Sequence, residues 1–158
     1  MKENQNLFRD LQEDFRKMKK NLLVAQSGGP TAAINATLAG VIKQAIKEEQ
    51  IDQVYGACYG IQGVLEQKFV NLTEKVDTEE KLEKLKRTPA AALGSCRFKL
   101  NDIKEDDSQY QEIVDILHKM NIGYFVYIGG NDSIDTVAKL FAYCKEKGVE
   151  DIKVIGGP

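Results

Sequence analysis

Apolar and polar positions follow one another along this chain in two alternating rhythms, one helical and one extended. Residues 4–20 carry Leu7, Leu11, Phe15 and Met18 at helical spacing with charges between them. That stripe predicts an amphipathic helix lying on the domain or on a partner subunit. An apolar strand over Asn21–Gln26 leads to a helix over Thr31–Glu49, whose early face is small (Ala32, Ala33, Ala36) and fits closely on a sheet. Asn35 in that helix either reaches back to the preceding turn or faces solvent. Gln53–Cys58 is a second, short strand, and Gly56, Gly60 and Gly63 then predict a loop running into Phe69–Leu72. Thr78–Arg87 reads as a charged helix with a solvated face. Asn101–Gln109 is an acidic loop, and Tyr110–Met120 a helix carrying the single histidine, His118. Near a helix C-terminus a histidine caps or faces water, and it receives no catalytic role. The β-branched and aromatic run Tyr124–Ile128 predicts a buried strand, followed by a helix over Asp132–Lys147 and another strand over Ile152–Gly156. Strands alternating with helices predict an α/β fold, a doubly wound, mostly parallel Rossmann-like sheet with helices on both faces.

Chemistry enters at two of the turns. Tyr124–Ile128 stops at Gly129-Gly130, and Asn131-Asp132-Ser133 then opens the next helix. Glycines let backbone come close to a ligand and accept φ > 0. The free N–H groups and dipole of a helix start favour an anion, most often a phosphate. Asn131, Asp132 and Ser133 add metal-directed oxygens and a hydroxyl at the same point. About a hundred residues earlier, Leu22–Ala25 leads into Gln26-Ser27-Gly28-Gly29-Pro30-Thr31 and an alanine-rich helix. Two strand–Gly-Gly–helix units can place two phosphate-binding ends on one edge of a parallel sheet, where such sheets bind ligands. Between them lies Pro89–Phe98, a run of small residues holding one arginine, Arg97. The reading favoured here is an arginine held over an anion by a close-packed loop, against a purely structural crossing.

Composition removes other classes. At 158 residues the chain can bury a real core. Its 22 basic and 24 acidic residues form no basic patch, which argues against nucleic acid. Cys58, Cys96 and Cys144 are odd in number and widely spaced, as expected of free thiols in a reducing cytoplasm. Met1–Asn21 is too charged for a secretory signal, and no apolar run approaches the ~20 residues needed to cross a bilayer. The first stripe is also too short and too mixed in charge for membrane attachment.

Four segments together resemble the phosphofructokinase family. Gln26–Asn35 is similar to its first phosphate loop, and Leu93-Gly-Ser-Cys-Arg-Phe98 to its arginine segment. Ile128-Gly-Gly-Asn-Asp-Ser133 is similar to its metal and phosphate turn, and Val154-Ile-Gly-Gly-Pro158 to the entry of its catalytic loop. The resemblance covers residues 21–158 and leaves 1–20 as an N-terminal helical extension. It implies phosphoryl transfer to fructose 6-phosphate, giving fructose 1,6-bisphosphate in glycolysis, with Mg²⁺ as cofactor. It implies that Gly28 and Gly29 face the donor phosphates, Arg97 binds the donor with Phe98 beside it, and Gly130, Asn131, Asp132 and Ser133 line the donor and Mg²⁺ site. Asn131 stands where the family usually has a metal-binding aspartate, and can coordinate only through its carbonyl oxygen. Asp132 stands where ATP-using members have glycine and pyrophosphate-using members tend to have aspartate, so the donor implied is pyrophosphate, with ATP the alternative. The family's catalytic aspartate and sugar-phosphate residues fall C-terminal to Pro158, so this chain alone is expected to be inactive and to act within a longer, homo-oligomeric, cytoplasmic enzyme. A non-catalytic regulatory subunit or phosphate-binding module is the alternative. NAD kinase relatives share a Gly-Gly-Asp-type turn, but the Arg97 segment argues against them.

Overall fold

The computed structural model describes every residue except 30, and backbone alone at 15–17; Pro30 and the Phe15 side chain, both used above, therefore lie outside the described residues. The chain opens with α1 (Lys2–Met18), β1 (Lys20–Gln26) and α2 (Ile34–Lys47). Next come β2 (Ile51–Ala57), α3 (Gly60–Leu65), β3 (Phe69–Asn71), the single turn α4 (Leu72–Lys75) and α5 (Glu79–Arg87). After an irregular stretch follow α6 (Ser108–Lys119), β4 (Ile122–Ile128), α7 (Asn131–Glu146) and β5 (Lys153–Gly157). The strands form one sheet in the order β3-β2-β1-β4-β5. β1, β2, β4 and β5 run parallel, and β3 joins β2 antiparallel.

Strand β1 holds the middle because both of its faces are apolar, as a parallel strand covered on two sides requires. Leu23 and Ala25 point to one side, where Phe125 and Tyr127 join them under α3, α6 and α7 through Ile61, Ile113, Leu117, Leu140 and Tyr143. Leu22 and Val24 point to the other, beneath α2 and α5 through Leu38, Ile42 and Leu82. The period-2 alternation of strand side chains thus feeds two cores, and the expected doubly wound α/β sheet is what forms.

Three expectations change in detail. The predicted loop at Gly56–Gly63 contains α3. Its entry passes through Tyr59 and Gly60, both at positive φ (65° and 62°). Gly63 is there for space, since a Cβ on it would lie 1.5 Å from the Cys58 carbonyl oxygen. The glycines therefore mark a tightly packed short helix, for which three-residue spacing is the natural sign. Helix α2 begins at Ile34 rather than Thr31, with Ala33 at its N-cap making no side-chain hydrogen bond. The stripe on α1 is left open by the domain: Leu7, Phe8, Leu11 and Met18 are each at least 50% exposed. By contrast, α5 starts where its sequence says it should, with Thr78 Oγ1 accepting from Lys81 N at 3.2 Å. His118 is half-exposed and meets Asp151 at 3.0 Å, and the three cysteines are free.

Candidate anion site at the sheet edge

Because β1 and β4 are adjacent and parallel, with Gln26 beside Ile128, their two glycine turns leave the same edge side by side. Ser27 N donates to the Ile128 carbonyl at 2.8 Å and ties them together. Gly28 has φ +84°, and a Cβ on it would come 3.5 Å from Gly130 N. Any side chain there would stand between the two turns. Gly129 has no room at all, since its Cβ would lie 2.1 Å from Ser133 Oγ and 2.7 Å from the Ser27 carbonyl oxygen. Gly130 is the N-cap of α7 and brings no side chain to the helix start. The first-turn N–H groups of a 16-residue helix are thus left for an outside acceptor. Ser133 sits beneath this point, 2% exposed, and its Oγ has no hydrogen-bond partner among the described residues.

The arginine segment crosses above the first turn without regular structure of its own. Ser95 Oγ donates to the Gly28 carbonyl at 2.6 Å, Ser27 Oγ donates to the Cys96 carbonyl at 3.4 Å, and Tyr59 N donates to the Leu93 carbonyl at 2.8 Å. Gly94, at φ +74°, lets the Tyr59 ring lie against the chain, where a Cβ would be 2.7 Å from it. Underneath, the Tyr127 hydroxyl accepts from Ile61 N at 3.2 Å and lies 4.0 Å from Cys96 Sγ. Burial pushes this phenol up to about 12, outweighing the Ile61 N–H bond and the nearby Ser27 hydroxyl, which favour its ionised form. The unfolded chain releases that proton near pH 10. The stability Tyr127 contributes is therefore whole below pH 10 and is lost as pH rises towards 12. Tyr127→Phe should flatten that alkaline decline in urea-unfolding midpoints, at a neutral-pH cost of about 1–3 kcal/mol for leaving Ile61 N unpaired. An unchanged decline would remove Tyr127 from the account.

Gly28, Gly29, Arg97, Phe98 and Asp132 line one cleft of about 700 Å³. Gly130 lines an adjoining hollow with Gly28 and Gly29. Asn131 is exposed at the start of α7 and lines neither. Asp132 occupies the first turn of α7 rather than its cap, where the dipole favours a carboxylate. Arg97 is exposed, with no ion pair among the described residues. The cleft adds residues the sequence reading passed over: Lys99, Asp135, Thr136 and Lys139. Lys139 Nζ lies 2.9 Å from Asp135, whose hydrogen bond holds the ammonium above its ordinary value. Their spacing along α7 (132, 135, 136, 139) is that of a single helical face, and that signal was present in the sequence. Among the described residues no group of three acidic or metal-ligating side chains gathers anywhere.

Residues 21–158 match the family described as phosphofructokinase. Over 119 residues the chain is 44% identical to the pyrophosphate–fructose 6-phosphate 1-phosphotransferase of Rhodospirillum rubrum, covering 75% of this chain and 28% of that protein. It is 32% identical over 122 residues to ATP-dependent 6-phosphofructokinase 3 of Bacteroides thetaiotaomicron, covering 75% and 34%. Among solved structures, the pyrophosphate-dependent phosphofructokinase of Nitrosospira multiformis superposes with TM-score 0.77 at 36% identity, covering 87% of this chain and 33% of that one. The chain spans about a third of the length of the proteins it matches. Sheet order, paired glycine turns, arginine segment and sequence all agree, and the chain belongs to the phosphofructokinase family.

Proposed function

We propose that this chain forms the phosphoryl-donor side of a pyrophosphate-dependent 6-phosphofructokinase, which moves a phosphoryl group from pyrophosphate to fructose 6-phosphate. The observation that carries it is the meeting of the Gly28-Gly29 turn, Arg97 and Asp132 around one cleft, with Gly129-Gly130 lining the adjoining hollow that shares the first turn. Phosphoryl transfer asks a protein for positioning and charge neutralisation more than for covalent chemistry. In this reading the turns supply backbone N–H groups, and Arg97 supplies a planar fork for phosphate oxygens. Lys99 raises the positive potential of the wall, while the charge of Lys139 is offset by Asp135. The sugar hydroxyl attacks the nearer phosphorus, the bridging P–O bond breaks and orthophosphate leaves, while the sugar proton passes to a base outside these residues.

Mg²⁺, when bound, would supply positive charge to offset that of the diphosphate. The donor set fits an ion that arrives with its substrate and keeps several waters, since Mg²⁺ in phosphate sites takes only one or two protein oxygens. Asn131, exposed at the start of α7 beside the cleft, would supply one through its carbonyl oxygen. The two donor-class relatives support pyrophosphate through the higher identity of the diphosphate-using one. The free thiols of Cys58, Cys96 and Cys144 fit a reducing compartment, and we assign the enzyme to the cytoplasm.

The test is an assay of the full-length protein with fructose 6-phosphate, Mg²⁺ and either donor. Fructose 1,6-bisphosphate and orthophosphate from pyrophosphate are expected. Binding of pyrophosphate without turnover would instead establish a non-catalytic module.

A further inference from the structure

Residues 88–98 lack helix and strand, yet Arg97 at their end has to stand at a fixed place over the glycine turns. Two buried amides outside the anion cleft account for this. Gln26 ends β1 and Asn35 lies in the first turn of α2, both 0% exposed. Asn35 Nδ2 donates to the Thr88 carbonyl at 2.8 Å and to the Ala90 carbonyl. Its Oδ1 accepts from Ala92 N at 2.9 Å and from Gln26 Nε2 at 3.1 Å. Gln26 Oε1 accepts from Leu93 N at 2.9 Å, and its Nε2 also reaches the Ile34 carbonyl at 3.3 Å. Every donor and acceptor site of the Asn35 amide is thereby used, in a way that admits only one orientation of the group. Four backbone groups of one irregular segment hang from two side chains. Ala90 is held there at φ 68°, a conformation that a non-glycine residue keeps only when its surroundings fix it.

We propose that Gln26 and Asn35 are positioning residues for phosphoryl transfer: they suspend the 88–98 segment so that Arg97 stands in register with the Gly28-Gly29 turn. Gln26 directly precedes that turn and Asn35 follows it, so the pair joins both halves of the cradle into one rigid unit. The proposal rests on the donor-site reading above for its catalytic part, and on geometry alone for its mechanical part.

Asn35→Asp tests it with almost no change in volume, because it sets an oxygen against two carbonyl oxygens. Amide hydrogen exchange in the full-length protein should quicken at Ala92 and Leu93 while β4 and α6 stay protected. Turnover with pyrophosphate should fall about 10²-fold, the usual scale for a reacting group displaced by roughly 1 Å. The same substitution placed on Arg97→Ala should add little, since residues acting through one another are non-additive. Losses that multiply in the double variant, or exchange at 92–93 that stays slow, would overturn the proposal. Gln26→Met, which removes only the acceptor for Leu93 N and the bonds to Ile34 and Asn35, repeats both measurements if Asn35→Asp fails to fold. A parent protein that turns over neither donor would sink the functional reading, and the exchange result would still decide the mechanical one.

Discussion

Arg97→Ala in the full-length protein lowers turnover with pyrophosphate by about 10³-fold or more, the scale set by arginines that act on a transferring phosphoryl group. Its unfolding temperature stays at the parent value. Both halves of that result follow from where the side chain stands. Arg97 is exposed in the cleft with no ion pair among the described residues, so truncating it orphans no buried charge. Surface changes of that kind usually alter stability by no more than about 0.5 kcal/mol. The segment beneath it keeps its own anchors at Asn35, Gln26 and Ser95. Lys99 and Lys139 cannot replace the guanidinium, because an ammonium is a point charge without the bidentate fork. Arg97→Lys should therefore recover only part of the loss. If the effect lies in kcat and kcat/KM together, the arginine acts in the transition state; if only KM rises, it binds ground-state donor. Near-normal turnover, or a lowered unfolding temperature, would make Arg97 structural.

What the sequence disclosed and what it withheld divide along a physical line. Strands buried on both faces announce themselves as continuous apolar runs, so β1 and β4 and the turns that end them were legible, with Gly28, Gly29 and Asp132 on them. Thr78 named its own helix start through cap chemistry. Tertiary hydrogen bonds leave no periodic trace. Nothing local separates Asn35 on a solvent face from Asn35 buried and fully bonded to residues more than fifty positions away. Gln26 looked like the polar end of a strand, whereas it is buried and accepts from Leu93 N. Gly60 and Gly63 were misread as loop because spacing gives the presence of glycine but not its reason. Here the reason is room for Cys96 Sγ and the Tyr127 hydroxyl at one position and for the Cys58 carbonyl at the other. For Lys139 the helical spacing from Asp132 was legible, but that this face of α7 turns to the cleft is fixed only by the sheet order.

Asp132→Gly raises the use of ATP relative to pyrophosphate, by up to about 10³-fold. Asp132 lines the same cleft as Arg97 and the Gly28-Gly29 turn, on the first turn of α7. On the donor placement proposed above, a donor longer than pyrophosphate would carry its next phosphate past this wall and meet the carboxylate there. At ~4 Å and an effective dielectric near 20, two unit charges repel by about 4 kcal/mol, which corresponds to roughly a thousandfold in affinity. On the same placement pyrophosphate would end sooner and not meet that charge, and discrimination would come from an obstacle to the wrong donor rather than from a better fit to the right one. The carboxylate also sits well in the helix dipole, and removing it costs about 0.3–1 kcal/mol, with a further ~0.5–1 kcal/mol for glycine in a helix. Those losses affect both donors alike and cancel in the ratio of their kcat/KM values. Asp132→Asn separates the two contributions: it keeps the shape and removes the charge, so electrostatic exclusion predicts that it recovers most of the gain, and steric exclusion that it recovers little. A parent enzyme that already uses ATP as well as pyrophosphate, or a donor ratio that glycine leaves unmoved, would show that Asp132 does not select the donor.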